Sequence, residues 1–365
     1  MKSGYIPSFD GLRVIAALIV ILFHLFETFS DGPATQILNH GYLAVDFFYI
    51  LSGYILCHAY DVRWDSMNLA AFASRRIRRL HPMVIAGSVI GLALLIFEPC
   101  DAFPLLGSAP WWKILTVFVL GCLLIPAPSA LDIRGWDEMF CLNSPQWTLF
   151  YEYIANICYA LFLRKFGKKT LAFLTLLAGL LVVDLTLNLN LLSVYGERGE
   201  KAYTVIGGWT STLPDAYIAI VRLSYPFLAG MLIKRLDFRV HITGGPYLAA
   251  ILLITVLCMP RLVPEIPLIN GIYELVSILF VLPMVLLLAQ SACIPSALSK
   301  LCKVAGELSF PLYLIHFPFV YVQVSLFSRY PEHGFVISAI CFVMILVTTW
   351  GMRLLMSAFS QKRVI

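Results

Sequence analysis

Residues 12–30 read LRVIAALIVILFHLFETFS, a run long enough to cross a bilayer as one helix, yet carrying Arg13, His24 and Glu27 inside it. About 20 predominantly apolar residues span the hydrocarbon layer as an α-helix. An arginine and a histidine within the first apolar run suit a retained helix rather than a cleaved leader. Comparable runs recur near 42–60, 82–97, 145–163, 170–190, 215–233, 244–260, 268–290, 307–328 and 335–356. Hydrophobic residues make up 60% of the chain and charged residues 13%, with a mean hydropathy of +0.86. A soluble domain carries about 25% charge, so a chain this apolar could not cover a water-facing surface. The expected fold is all-α: a polytopic transmembrane helical bundle of about ten spans, forming a single integral-membrane domain over residues 1–365.

The segment 111–127, from Trp111–Trp112 to Pro126–Ala127–Pro128, decides the orientation. With ten crossings, one set of loops holds 18 of the 26 basic residues, from Lys2 through the arginines at 75–79 to Lys362 and Arg363. The opposite loops hold six: Lys113, Arg134, Arg198, Lys201, Arg261 and Arg329. An eleventh crossing would move every later basic loop to the wrong side of the positive-inside rule. Segment 111–127 is therefore expected to be re-entrant or interfacial, and both termini cytoplasmic. The net charge of +5 reads as loop asymmetry. The arginine cluster lacks any accompanying nucleic-acid-binding fold or aromatic platform, so nucleic acid is not an expected partner. No internal repeat of the transporter kind is visible. The nine cysteines follow no metal spacing, so no metal site is expected. A disulfide between Cys100 and Cys141 is open.

Ionisable residues at bilayer depth are costly, which makes them functional candidates. Arg13, His24, Glu27, Asp46, Glu152, Asp184, Arg222, Glu274 and His316 fall in the apolar runs. Mutual pairing or snorkelling accounts equally well for any one of them alone, and Asp184, Arg222 and Glu274 do not rise above that. Arg13 and His24 are eleven residues apart, nearly three helical turns, so they share one face at heights about 16 Å apart. That suits an anionic donor entering near Arg13 and proton transfer deeper, at His24. A neutral imidazole can accept a hydroxyl proton or carry an acyl group transiently. Ser74–Pro82 holds Arg75, Arg76, Arg78 and Arg79, whose guanidinium forks suit phosphate oxygens. A topology signal or contact with anionic lipid explains the charge equally well. Glu152 lies about 10 Å below the start of its span, a depth at which it could orient the imidazole or act as base. Tyr313 and His316 sit on a proline-interrupted run, tolerated at depth where it lines a cavity.

Taken together, the residues resemble the acyltransferase-3 family of bacterial membrane O-acyltransferases, the exopolysaccharide and O-antigen acetyltransferase type. Phe9-Asp10-Gly11-Leu12-Arg13 leading to His24 matches an Arg-x10-His signature. Val45-Asp46-Phe47-Phe48-Tyr49-Ile50-Leu51-Ser52-Gly53 is similar to Val-Asp-x-Phe-Phe-x-x-Ser-Gly, with Tyr49 for Phe. Arg76, Arg79 and Pro82 match Arg-x-x-Arg-Ile-x-Pro, with Leu80 for Ile. Trp147-Thr148-Leu149 with Glu152 resembles Trp-Ser-Leu-x-x-Glu, and Leu308–His316 resembles Leu-Ser-Tyr-x-x-Tyr-Leu-x-His. Five such motifs in order, from residue 9 to 318, are specific where each alone is weak.

The resemblance implies a ten-helix transferase core in the bacterial cytoplasmic (inner) membrane. It implies that an acyl group, usually acetyl, moves from cytosolic acyl-CoA to a hydroxyl of a surface or lipid-linked glycan. Acetyl-CoA is then a donor substrate, and no permanently bound cofactor is expected. Some relatives add an extracytoplasmic hydrolase-like domain. The chain ends nine residues past its last expected span, so that domain is expected to be absent, and glycan-synthesis machinery is a possible partner. In the expected mechanism Arg76 and Arg79, with Arg75 beside them, hold the donor phosphates, and Arg13 guides the donor inward. His24 is base or acyl carrier, supported by Glu152. Asp46, Tyr49, Ser52, Trp147, Thr148, Tyr313 and His316 line the cavity. A transporter or flippase using the same charges, and a non-catalytic subunit of a glycan-synthesis complex, remain the rival readings.

Overall fold

The structure is a computed structural model that describes residues 5–32 and 35–361. Lys2, Lys362 and Arg363 of the topology argument lie outside the described residues. Among the described residues thirteen α-helices follow one another: α1 Pro7–Glu27, α2 Ala44–Tyr60, α3 Leu69–Leu94, α4 Trp111–Leu123, α5 Gln146–Leu161, α6 Lys168–Thr186 and α7 Leu213–Leu236. They continue as α8 Gly245–Cys258, α9 Pro267–Val276, α10 Leu282–Ala289, α11 Ser296–Ile315, α12 Phe317–Arg329 and α13 Gly334–Gln361. A π-helical stretch, Ser277–Val281, joins α9 to α10. Among the described residues the only β-type pairing is an isolated bridge between Glu138 and Thr210. The protein is therefore an all-helical polytopic membrane protein, as expected.

Among the described residues seven helical stretches are long and apolar enough to cross a membrane, and eight if the bent pair α11–α12 counts as one span. The remaining two of the ten expected spans, 145–163 and 244–260, correspond to the helices α5 and α8, of 16 and 14 residues, which fall short of that length, so the expected count of ten is not reached. Helix α4 has 13 residues, about 20 Å of length, less than the hydrocarbon thickness of about 30 Å. Outward-facing apolar stripes run along α6 (Phe173, Leu176, Leu180) and α13 (Val336, Ile340, Val343, Val347). Such stripes are what a lipid-facing helix presents.

Two departures from the expected boundaries have local causes. The run near 82–97 starts earlier, because Asn68 caps α3 by accepting the Ala71 N–H at 2.8 Å. The arginine segment is thus the first turns of a spanning helix. The run near 307–328 is broken, α11 and α12 meeting at 50° across His316. Pro318 has no N–H to give the Leu314 carbonyl and its ring would crowd that oxygen. The freed carbonyl accepts instead from Asn143 Nδ2 at 2.6 Å. The disulfide left open by the sequence does not form, Cys100 and Cys141 both being free thiols.

Helices in lipid gain nothing from hydrophobic exclusion and associate through close packing and polar contacts. Helix α2 lies along α7, and α1 along α11. A β-carbon at Gly53 would collide with the Phe227 carbonyl, and one at Gly230 with the Ile50 carbonyl. Within the α2–α7 seam Asp46 meets Arg222 at 2.8 Å, with 0% and 2% of the side chains exposed. Arg222 also donates to the Tyr42 carbonyl at 2.7 Å. The other two intramembrane acids set aside above are likewise consumed locally. Asp184 accepts from Tyr217 at 2.7 Å, and Glu274 from Tyr42 and, at 2.6 Å, from the Val205 N–H.

The segment between α3 and α5 folds over one end of the bundle. Glu98 and Arg134 pair with no exposure of either side chain. Arg134 covers the Tyr321 ring at 3.7 Å, and Tyr321 donates to Glu138 at 2.5 Å.

Arg222→Met leaves a buried carboxylate without its cation, a change that costs about 3–5 kcal/mol. The detergent-solubilised variant should unfold at clearly lower temperature, and adding Asp46→Asn should recover part of the loss. An unchanged melting temperature in the single variant would contradict this role. Burial pushes the Glu138 carboxyl up to about 7. The folded state then binds more protons than the unfolded one between about 4.5 and about 7, so stability falls as pH rises through that window. Glu138→Gln should flatten the slope there, as read from melting temperatures across pH.

Candidate active-site cavity

A cavity of about 720 Å³ opens among α1, α2, α3, α5, α11 and α13. Its wall includes Arg13, Arg76, Arg79 and Arg353, all close to the bundle end where α1, α3 and α11 begin and α13 finishes. Toward the floor the wall is apolar, with Phe48, Leu149 and Phe310, and Leu51 and Ile55 line its side. The cavity is thus cationic at one end and oily along its length, the profile wanted by a phosphate-bearing molecule with an extended tail.

Several polar groups on the wall have definite partners. Arg76, 7% exposed, meets Glu152 Oε1 at 2.8 Å. Ser52 donates to the same oxygen at 3.0 Å. Arg13 stands 3.7 Å from Asp10, one helical turn earlier. At the deep end Thr148 Oγ1 and the Tyr313 hydroxyl lie 3.0 Å apart, and Tyr49 donates to the Thr148 carbonyl at 3.0 Å. These three side chains tie α2, α5 and α11 together and floor the cavity.

His24 lies beyond that floor. Its ring stacks on His316 at 5.5 Å between centroids and 26° between planes, and Phe317 and Phe23 meet it edge-on at 4.9 Å. His24 Nδ1 stands 3.2 Å from Glu27 Oε2. His316 is fully buried; its Nδ1 reaches the Tyr313 carbonyl at 2.7 Å, and its Nε2 has no hydrogen-bond partner among the described residues. A line of contacts therefore runs from the floor residue Tyr313 through His316 to His24, which keeps 22% of its side chain exposed.

The structure brings Arg13, Arg76, Arg79, Glu152, Tyr49, Ser52, Thr148 and Tyr313 onto one wall. Three residues expected there stand behind it: Asp46 in the α2–α7 seam, Trp147 packed edge-on against Tyr151, and His316 under the floor. Arg75 is exposed and does not line the cavity. Glu152, expected beside His24, is taken up by Arg76 and Ser52, and the carboxylate next to His24 is Glu27. The i, i+3 spacing of His24 and Glu27 was readable in the sequence. Glu307 and Arg353 were not singled out, because nothing local marks a charge near a helix end as facing inward.

The fold and this cavity define a polytopic membrane protein with a buried cationic chamber. The chain belongs to the acyltransferase-3 family: the family profile described as "Acyltransferase domain" matches residues 6–354. It is 32% identical to protein 2 in the picA locus of Rhizobium radiobacter over 184 residues, covering 48% of this chain and 91% of that protein. It is 31% identical to the peptidoglycan O-acetyltransferase OatA of Listeria monocytogenes over 167 residues, 42% of this chain. That match spans only 26% of the Listeria protein. No solved structure matches the chain.

Glu152→Gln weakens the charge-assisted bond to a nearly buried arginine, a loss of about 2 kcal/mol. Urea unfolding of the solubilised protein should register it, while Glu152→Asp should lose less. Equal stability of Glu152→Gln and wild type would show that Arg76 finds its counter-charge elsewhere.

Proposed function

We propose that the protein is a membrane O-acyltransferase that moves an acyl group, acetyl in the simplest case, from cytosolic acyl-CoA to a hydroxyl of a surface or lipid-linked glycan. The observation that carries this reading is the cavity with arginines at one end and a hydrogen-bonded floor at the other. Phosphates of coenzyme A suit guanidinium forks, and the apolar shaft suits a pantetheine arm and thioester. Membership of the acyltransferase-3 family and the similarity to the Listeria peptidoglycan O-acetyltransferase support the same chemistry. The arginine-bearing end faces the cytosol in this reading, as the basic-loop asymmetry requires. Both termini then face the cytosol of a bacterial inner membrane.

Arg76 and Arg79 hold the phosphates, with Glu152 and Ser52 fixing Arg76, and Arg13 draws the donor inward. With its Nδ1 proton directed at Glu27, His24 keeps a lone pair on Nε2. In the direct route Nε2 takes the acceptor's hydroxyl proton while the oxygen attacks the thioester carbonyl. The C–S bond breaks, and coenzyme A leaves as the thiol after protonation. In the two-step route the acyl group rests on Nε2 before the hydroxyl removes it. In both, the Tyr49–Thr148–Tyr313 floor must part, because it stands between the donor chamber and His24.

Loss of a general base lowers rates about 10²–10⁴-fold. His24→Ala, with expression and membrane insertion verified, should abolish the acyl mass increment on surface glycans measured by mass spectrometry. Normal acylation in that variant removes His24 from the mechanism. A purified wild-type protein that consumes no acetyl-CoA in the presence of acceptor would instead favour a transporter.

A further inference from the structure

At the cavity mouth two charged side chains lie outside every motif quoted above. Arg353, from α13, and Glu307, from α11, both line the chamber. Arg353 Nε and Nη2 approach a single carboxylate oxygen, Glu307 Oε2, at 3.1 and 3.0 Å. The guanidinium also lies over the Trp350 ring, 4.9 Å from its centroid. These contacts hold the arginine in place without burying it: 26% of its side chain and 47% of that of Glu307 are exposed.

A half-exposed carboxylate bound through one oxygen is a weakly held partner, because water and salt compete for both charges. A phosphate presents more charge and can engage the guanidinium fork with two oxygens. We infer that Arg353 is a further phosphate-binding residue of the donor site, and that Glu307 is the counter-ion the donor displaces on entry. This rests on the acyl-CoA reading above, and the chemical class of ligand is a nucleotide thioester with several phosphates. Arg353 approaches from α13, whereas Arg76 and Arg79 approach from α3, so the phosphates are gripped from two helices. Glu307 then works against the donor, and its removal should strengthen binding.

The opposite signs expected of the two residues make the test sharp. Full-length protein in detergent is titrated with coenzyme A, and KM and kcat for acetyl-CoA are measured with acceptor present. Arg353→Ala should raise the coenzyme A Kd and the acetyl-CoA KM about tenfold with kcat nearly unchanged, the pattern of lost ground-state binding. Arg353→Lys should restore part of the loss. Glu307→Gln should lower both constants several-fold, and that gain should vanish in the Arg353→Ala background. Melting temperatures within a few degrees of wild type exclude misfolding as the cause. Wild-type binding with unaltered constants in both single variants, or weaker binding in Glu307→Gln, would overturn the inference and leave the donor reading standing. Failure of the wild type to bind coenzyme A would overturn both.

Discussion

Asp46 and Arg222 meet where neither can reach water, and that meeting fixes how α2 lies on α7. Without the guanidinium, the carboxylate would be an isolated charge in hydrocarbon, a state costly enough to be avoided. The two glycines of the same seam, Gly53 and Gly230, let the backbones approach until one helix's carbonyl occupies the space of the other's side chain. Shape and charge thus select one register. A second small-residue contact, Gly306 against Asp10, sets α1 on α11. Both seams flank the chamber: α2 sends Tyr49 and Ser52 into it, α1 sends Arg13, and α11 sends Tyr313.

The chamber is therefore a space left between two tight helix pairs, with α3, α5 and α13 filling its remaining sides. Its polar groups form a gradient. Exposed or loosely paired arginines stand at the mouth, a bonded Arg76–Glu152–Ser52 group follows, and uncharged hydroxyls lie at the floor. Formal charge thus falls away from the mouth inward, so in the proposed donor reading the phosphates stay near the arginines while the uncharged thioester reaches further in.

Much of the fold was legible because bilayer length and hydropathy are coarse, additive signals. The apolar run of α1 and the basic loops announce themselves without reference to neighbours. Arg13 and His24 do lie on one continuous helix, α1, but only Arg13 lines the chamber, and His24 stands beyond its floor. What could not be read was which residues from different helices meet. Glu152 and His24 suggest partners by depth, yet rotation about α5 turns Glu152 to Arg76. Asp46 carries a motif position and looks like a wall residue, but pairing with Arg222 takes it into a seam. Arg353 read as one more positive charge near the end of the last span, because only tertiary packing turns it toward Glu307. The break at His316 was half visible: Pro318 forecasts an interrupted helix, while the Asn143 side chain that accommodates the freed carbonyl comes from a distant loop.

The floor of the chamber has a second consequence, for the membrane itself. A cavity that enters a bilayer from one side admits ions and protons unless its inner end is closed. Tyr49, Thr148 and Tyr313 are 3%, 6% and partly exposed, carry no formal charge, and spend hydroxyl groups on each other or on backbone. Fully buried His316 backs them with one ring nitrogen already committed to the Tyr313 carbonyl. The floor is thus uncharged and closely packed, yet held by only a few hydrogen bonds.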